Sequence, residues 1–220
     1  MWRKRRLVLA VLAFFVLTMT LVAGCGRGEM NAPRLAQSLA GKRAVMIVAH
    51  RGFRDEELFE PKKAVEGRGA RVVVASSSLE EARGMLGGTV KPDLLLKNVR
   101  AADYDAVIFV GGEGAGEYWD GPEAYRVARE ALEQGKVLGA ICLAPVTLAN
   151  AGVLSGRKAT VWPDEAARLE AAGAEYTGAP VEIDGRVVTA SGPESAKEFG
   201  EAVARLLGGR APDRGGDVER

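Results

Sequence analysis

Three unbroken apolar runs set the rhythm of the chain, at 44–49, 105–110 (after its leading Asp) and 137–141. A strand with one wet face alternates apolar and polar residues. Unbroken runs of this length mark strands buried on both faces, as in a parallel sheet covered by helices. A fourth strand is expected at 71–75 and a minor one at 94–96. The segments between them carry helical spacing: 55–67, opening on three acidic residues that suit a helix N-terminus, then 122–134, 144–152, 163–172 and a closing helix at 196–207. Residues 77–85 read as a short helix or turn. Further strands are expected at 158–161, 176–183 and 186–190, the last two joined at Asp184-Gly185, a hairpin signal. Strands alternating with helices predict right-handed βαβ units and a mainly parallel sheet.

The N-terminal segment follows a different rule. Trp2 is followed by four basic residues, then by an uncharged run over 7–23 and by Ala23-Gly24-Cys25. A basic stretch before an apolar run is the anatomy of an export signal. Small residues ahead of a cysteine resemble the bacterial lipobox, in which that cysteine is lipidated. The expectation is a signal peptide over 1–24, lipidation at Cys25, a tether to residue 41, the folded domain over 42–209, and a disordered tail over 210–220. The apolar run is also just long enough to serve as an uncleaved anchor. Either arrangement puts the domain at the membrane, on the extracytoplasmic side.

Composition removes several classes of function. A net charge of +1 leaves no electrostatic footprint for nucleic acid. Two cysteines and one histidine are too few for a structural zinc site. The loop Gly111-Gly112-Glu113-Gly114-Ala115-Gly116 lacks the Lys-Ser/Thr of a phosphate loop and does not follow the first strand, so no nucleotide cofactor is expected.

The chemistry gathers at strand ends. Cys142 stands between the strand 137–141 and a helix whose first turn holds Pro145, a position where a missing N–H costs nothing. That is the build of a nucleophile elbow with Cys for Ser, and the unpaired amides of the helix start favour a thiolate. A buried structural cysteine is the alternative. The glycine loop offers either amides for an oxyanion or a plain turn. Glu56 and Glu57 open the helix after the first strand; a carboxyl beside a thiolate is useful only if it keeps its proton. His50 also falls at a strand end, and a surface position is expected for it. Tyr118 and Trp119 are expected to pack over the glycine loop.

The segments 53–61, Val110-Gly111-Gly112, 140–145 and Ser191-Gly192-Pro193 resemble the PfpI family, which includes protease/amidase-like proteins and the parkinsonism-associated redox protein, within the class I glutamine amidotransferase-like superfamily. The resemblance runs over about 42–207. It implies a flavodoxin-like three-layer αβα sandwich, usually a homodimer. It also implies roles: Cys142 as nucleophile, Glu57 as the acid that hydrogen-bonds the sulfur, and the backbone of Gly111, Gly112 and Leu143 as oxyanion hole. Two departures stand out. Family hydrolases commonly carry His directly after the cysteine, where this chain has Leu143. The redox branch often carries His before a proline on a later strand, where this chain has Trp162 before Pro163. A Cys-His-acid triad is therefore not expected, and a protease reading is weakened. Three functions stay open: an enzyme acting on a small carbonyl or amide substrate, a redox-responsive protein working through Cys142, and a tethered binding module.

Overall fold

A computed structural model describes residues 37–209. The export segment, Cys25, most of the tether and the tail lie outside the described residues. Among those described, no helix is long and apolar enough to cross a membrane.

The first half of the domain holds β1 (Arg43–Ile47), β2 (Arg51–Phe53), α1 (Asp55–Glu66), β3 (Arg71–Ser76), β4 (Ala82–Gly84), β5 (Thr89–Val90), β6 (Leu94–Leu95) and β7 (Ala106–Phe109). The second half holds α2 (Pro122–Glu133), β8 (Val137–Ile141), α3 (Pro145–Asn150), β9 (Lys158–Ala159), α4 (Ala166–Ala171), β10 (Glu175–Tyr176), β11 (Val181–Asp184), β12 (Val187–Ala190) and α5 (Ala196–Leu207). Seven strands form the central sheet in the order β11-β12-β8-β7-β1-β3-β6. All pairings are parallel except the β11–β12 hairpin.

The apolar runs are unbroken because each strand feeds two cores. Val45, Ile47, Val107, Phe109 and Leu138 point into the core that contains Val127 and Ala131 of α2 and Leu148 of α3. Their neighbours Ala44, Met46, Ala106, Ile108 and Val137 point into the other, with Leu58 of α1 and Phe199 and Val203 of α5. The result is a three-layer αβα sandwich with one helical layer on each face. In α5, Gly200 meets α1 so closely that a Cβ there would lie 2.7 Å from the Pro61 Cα. Leu39, assigned to the tether by the sequence pattern, is buried at 1% exposure in the α1/α5 core.

The chain winds outward from β1 to β3 and β6, then restarts at β7 and runs to β8 and β12 on the other side. Strand order therefore reverses between β1 and β7, and ligands of such sheets bind in the crevice at the carboxyl ends beside that reversal.

Two expectations are corrected. Residues 77–85 form no helix; 82–84 is β4, in a small sheet of order β2-β4-β5. The cause is non-local. The Asp55 carboxylate at the start of α1 accepts the Leu86 and Gly88 amides at 2.8 and 2.6 Å and so fixes the β4–β5 turn. The strand expected over 176–183 splits into β10, paired with β9, and β11, paired with β12. Gly178, at φ 65°, and Pro180, which has no N–H, stand between the two pieces.

Candidate active site

The elbow is built by strain held in place. Cys142 has φ 62° and is the one non-glycine residue with positive φ among the described residues. Such a conformation costs on the order of 1–3 kcal/mol and persists only where its surroundings over-determine it. Here the Cys142 amide donates to Ala190 O at 2.9 Å, the Trp162 amide donates to Cys142 O at 2.9 Å, and the Ala144 amide donates to Ile141 O at 3.1 Å. The Trp119 indole N–H donates to Leu143 O at 3.1 Å. Because a trans peptide points its C=O and N–H in opposite directions, anchoring Cys142 O on Trp162 turns the Leu143 N–H the other way. The amides of Leu143 and Gly112 both favour the charged form of the sulfur.

Glu57 reaches the same place from α1, two residues after the helix begins. It is 0% exposed. Neither carboxyl oxygen completes a hydrogen bond of normal geometry, yet the Cys142 side chain and the Gly111 backbone both bias its protonation. Glycine is required beside it. A Cβ on Gly111 would lie 2.4 Å from Glu57 Oε2 and 2.6 Å from the Cys142 Cβ. Gly112, at φ 99°, would meet the Arg54 amide nitrogen at 2.4 Å. The Arg54 amide donates to Gly111 O at 2.9 Å, which locks the start of α1 to the loop after β7.

Burial governs the electrostatics. It pushes the Glu57 carboxyl up to about 8, against the opposing pull of Cys142 and Arg54. Burial and the negative charge of Glu57 push the Cys142 thiol up to about 12. Burial and the Glu57 charge thus oppose the expected thiolate, while the amides of Gly112 and Leu143 favour it. The two groups are coupled, so protons are lost from the pair and not from either residue alone.

Cys142 is 7% exposed, at the wall of a cleft of about 240 Å³. Arg54, Glu57, Gly112, Glu113 and Leu143 line it, together with Met85, Trp162 and Pro193. The structure thus gathers Cys142, Glu57, Gly112 and Leu143 at one cleft, with Gly111 just behind it against Glu57. His50 is elsewhere: its amide faces Glu117, and its Nε2 stands 4.0 Å from Glu80 Oε2. Tyr118 and Trp119 do not lie over the glycine loop as a pair. Tyr118 is buried and donates its hydroxyl to Val48 O at 2.8 Å, while Trp119 braces the elbow. Sequence reasoning missed Met85 and noted Trp162 only as a replaced histidine. Among the described residues no three His, Cys, Asp or Glu side chains gather as a metal site.

A cysteine elbow, a buried glutamic acid and paired glycines at the switch point of an αβα sheet define a class of cysteine-dependent α/β proteins. The chain belongs to the DJ-1/PfpI family, whose model matches residues 42–206. An uncharacterised protein of Methanocaldococcus jannaschii is 38% identical over 199 residues, covering 89% of this chain and 96% of the relative. A deglycase of Pyrococcus horikoshii is 31% identical over 163 residues, covering 74% of this chain and 98% of the relative. The solved ThiJ/PfpI domain protein of Brachyspira murdochii superposes with a TM-score of 0.75 at 32% identity, covering 79% of this chain and 99% of its own. Other matching relatives bear the names glyoxalase and putative cysteine protease.

Proposed function

We propose that this chain is a cysteine-dependent enzyme acting on small reactive carbonyls, of the glyoxalase and deglycase type, with Cys142 as nucleophile and Glu57 as proton carrier. The observation that carries this reading is the buried Cys142–Glu57 pair on a strained elbow at the wall of an open cleft. The deglycase relative and the family's glyoxalases support the same class of substrate.

The chemistry follows from the proton count. Losing one proton from the pair gives a form that is either thiolate with carboxylic acid or thiol with carboxylate. In the first, the sulfur bonds to the aldehyde carbon, the π pair moves onto oxygen, and the Glu57 proton follows it to give a hemithioacetal. The amides of Gly112 and Leu143 are the donors available to that oxygen. With a 2-oxoaldehyde, the Glu57 carboxylate then takes the proton from the former aldehyde carbon and a proton is returned to the neighbouring carbon. Water cleaves the resulting thioester to a 2-hydroxy acid and restores the thiol. One carbon is oxidised as its neighbour is reduced, so no outside oxidant is needed.

Peptide hydrolysis is less well supported. No histidine lines the cleft to protonate a leaving amine, and such acid–base help is worth roughly 10²–10⁴-fold. A sensing role through sulfenic and sulfinic states would use the same thiolate form of the pair, and peroxide treatment read as mass gain on the Cys142 peptide separates it from turnover. The proposal includes an address: lipidation at Cys25 holds the domain at the extracytoplasmic face of the membrane, where the resemblance also suggests a homodimer. Palmitate labelling of the full chain, lost in Cys25→Ser, tests the anchor.

For the activity, the full-length protein is incubated with methylglyoxal and the product followed by NMR. Lactate is expected from the wild type and none from Cys142→Ser. No product from glyoxal, methylglyoxal or their amine adducts, with the Cys142 thiol still titratable, overturns the proposal.

A further inference from the structure

Part of the wall of the cleft is apolar, and more exposed than such side chains usually are. Trp162 is 41% exposed and Met85 37%, two of the exposed large apolar side chains among the described residues. Both line the Cys142 cleft, with Leu143 and Pro193 beside them. Large apolar side chains scattered singly over a surface call for no explanation; several around one nucleophile do.

The indole is held as a fixed surface. The Trp162 amide is tied to Cys142 O at 2.9 Å. Part of the ring packs on Gly192, where a Cβ would lie 3.0 Å from the Trp162 Cε3. The indole N–H reaches toward Asp164 Oδ2 at 3.4 Å. Gly192 makes room for the ring, and the exposed remainder faces the cleft. Met85 is tied less firmly, its sulfur 3.5 Å from the Glu113 amide nitrogen, and a thioether adapts readily to the shape of an apolar group.

The polar side of the cleft does not compete for charged ligands. The Arg54 guanidinium is committed to Glu56 through two hydrogen bonds of 2.8 and 3.1 Å. Glu113, at the same mouth, repels anions. A cleft of about 240 Å³ accommodates a group larger than a methyl beside the sulfur.

We propose that Trp162 and Met85 are the specificity-determining side chains of this site, and that they select neutral carbonyl substrates bearing an aryl or bulky apolar group over small or anionic ones. This rests on the carbonyl-enzyme reading of Cys142. The face of the ring stacks on a planar group, and the Met85 thioether closes over its edge. Trp162 does not touch the reacting atoms; it orients what is bonded to them.

Two measurements on the full chain separate this proposal from the function on which it rests. The first is the ratio of kcat/KM for phenylglyoxal to that for methylglyoxal. The second needs no turnover: the ratio of Cys142 alkylation rates with N-phenylmaleimide and N-methylmaleimide, read by mass spectrometry of the Cys142 peptide and normalised to the same ratio for glutathione. Both ratios are expected to favour the aryl compound by roughly tenfold in the wild type, the size of effect an apolar group gains in an apolar pocket. Both fall toward one in Trp162→Ala, fall partway in Met85→Ala, and recover in Trp162→Phe, which keeps a ring. If no dicarbonyl is turned over but the maleimide ratio behaves as described, the enzyme reading fails and the selectivity of the cleft stands. If turnover is seen but Trp162→Ala moves neither ratio by twofold, the proposal is overturned while the enzyme reading survives. Equal ratios in the wild type also overturn it.

Discussion

Among the hollows formed by the described residues, two are of similar size, about 240 Å³ at Cys142 and about 280 Å³ beside Tyr118. The second is lined by Ser77, Leu95, Lys97, Glu117, Tyr118 and Gly121, among others. Volume does not distinguish them. Polar accounting does: the Tyr118 hydroxyl is satisfied, donating to Val48 O and accepting the Ser77 amide at 3.1 Å. In the first hollow, Glu57 is fully buried with neither oxygen completing a hydrogen bond of normal geometry, and the neighbouring backbone is bent into a positive φ at a cysteine. A stable fold spends neither a buried unpaired carboxyl nor a strained cysteine without return, and the two coincide at one cleft. The contrast teaches that the chemistry of a hollow is read from its unsatisfied groups and its strain.

The largest effect separates the two hollows outright. Cys142→Ser is expected to lower kcat/KM for methylglyoxal by roughly 10³-fold or more, as loss of a nucleophile does. Lys97→Ala, in the second hollow, is expected to leave it within about twofold, since surface changes away from a site do little. Comparable losses in both variants would dissolve the distinction.

The next effect is on stability and uses one glycine from each side. Gly111→Ala pushes a methyl against Glu57 Oε2 and Ile141 O, both at 2.4 Å. Overpacking of this kind costs roughly 1–3 kcal/mol or more. Gly121→Ala meets its nearest atom, Tyr118 O, at 3.4 Å, with φ −83° already suited to an L-residue. At a helix N-cap, where Gly is preferred over Ala, that exchange costs roughly 0.5–1 kcal/mol. Denaturant unfolding of the two variants measures the difference, and equal losses would mean that the loop beside Cys142 is not tightly packed.

How much of this was legible beforehand depends on range. The strands at 44–49, 105–110 and 137–141 announced themselves because residues facing both cores are apolar, so pattern alone placed β1, β7 and β8. Cys142 was legible for the same reason: it ends such a strand and Pro145 follows it. The small sheet β2-β4-β5 was not. Its pairing depends on the Asp55 carboxylate holding amides more than thirty positions away, and no local pattern records that. The wall made by Met85 and Trp162 was hidden for the same cause, since one is placed by the turn after β4 and the other by the elbow, and the two are distant in sequence. The balance at the sulfur was half legible: the amides that favour a thiolate follow from the strand-to-helix turn, but the burial that opposes them is a property of the assembled layers.

Glu57→Gln sharpens the comparison through pH. The folded Glu57 titrates near 8, raised from 4.5 by burial. Below about pH 4.5 the carboxyl is neutral folded or unfolded. Above that the unfolded chain ionises and the folded one does not, so stability falls as pH rises and has fallen fully once pH passes about 8. The Gln variant lacks this slope and is expected to be more stable than the wild type at pH 8.5, by on the order of a few kcal/mol. The Cys142 thiol responds as well, because removing the negative neighbour lowers its pKa from about 12. Alkylation rates against pH are expected to show a single step at lower pH in the variant. An unchanged profile would uncouple the two groups and remove Glu57 from the mechanism.

The smallest effect belongs to the second hollow. Tyr118→Phe removes the hydroxyl that donates to Val48 O and accepts the Ser77 amide. A buried hydrogen bond contributes about 1 kcal/mol, and a buried donor left unpaired adds about as much again. Thermal or denaturant unfolding is expected to register that loss, while kcat/KM for methylglyoxal stays within about twofold, because the ring and the packing around it remain. The pattern is the reverse of that expected for Cys142→Ser, where activity vanishes and the fold is kept. Should Tyr118→Phe instead cut activity tenfold with stability intact, the second hollow would have to be counted as part of the working site, and satisfied hydrogen bonding would no longer serve to tell the two apart.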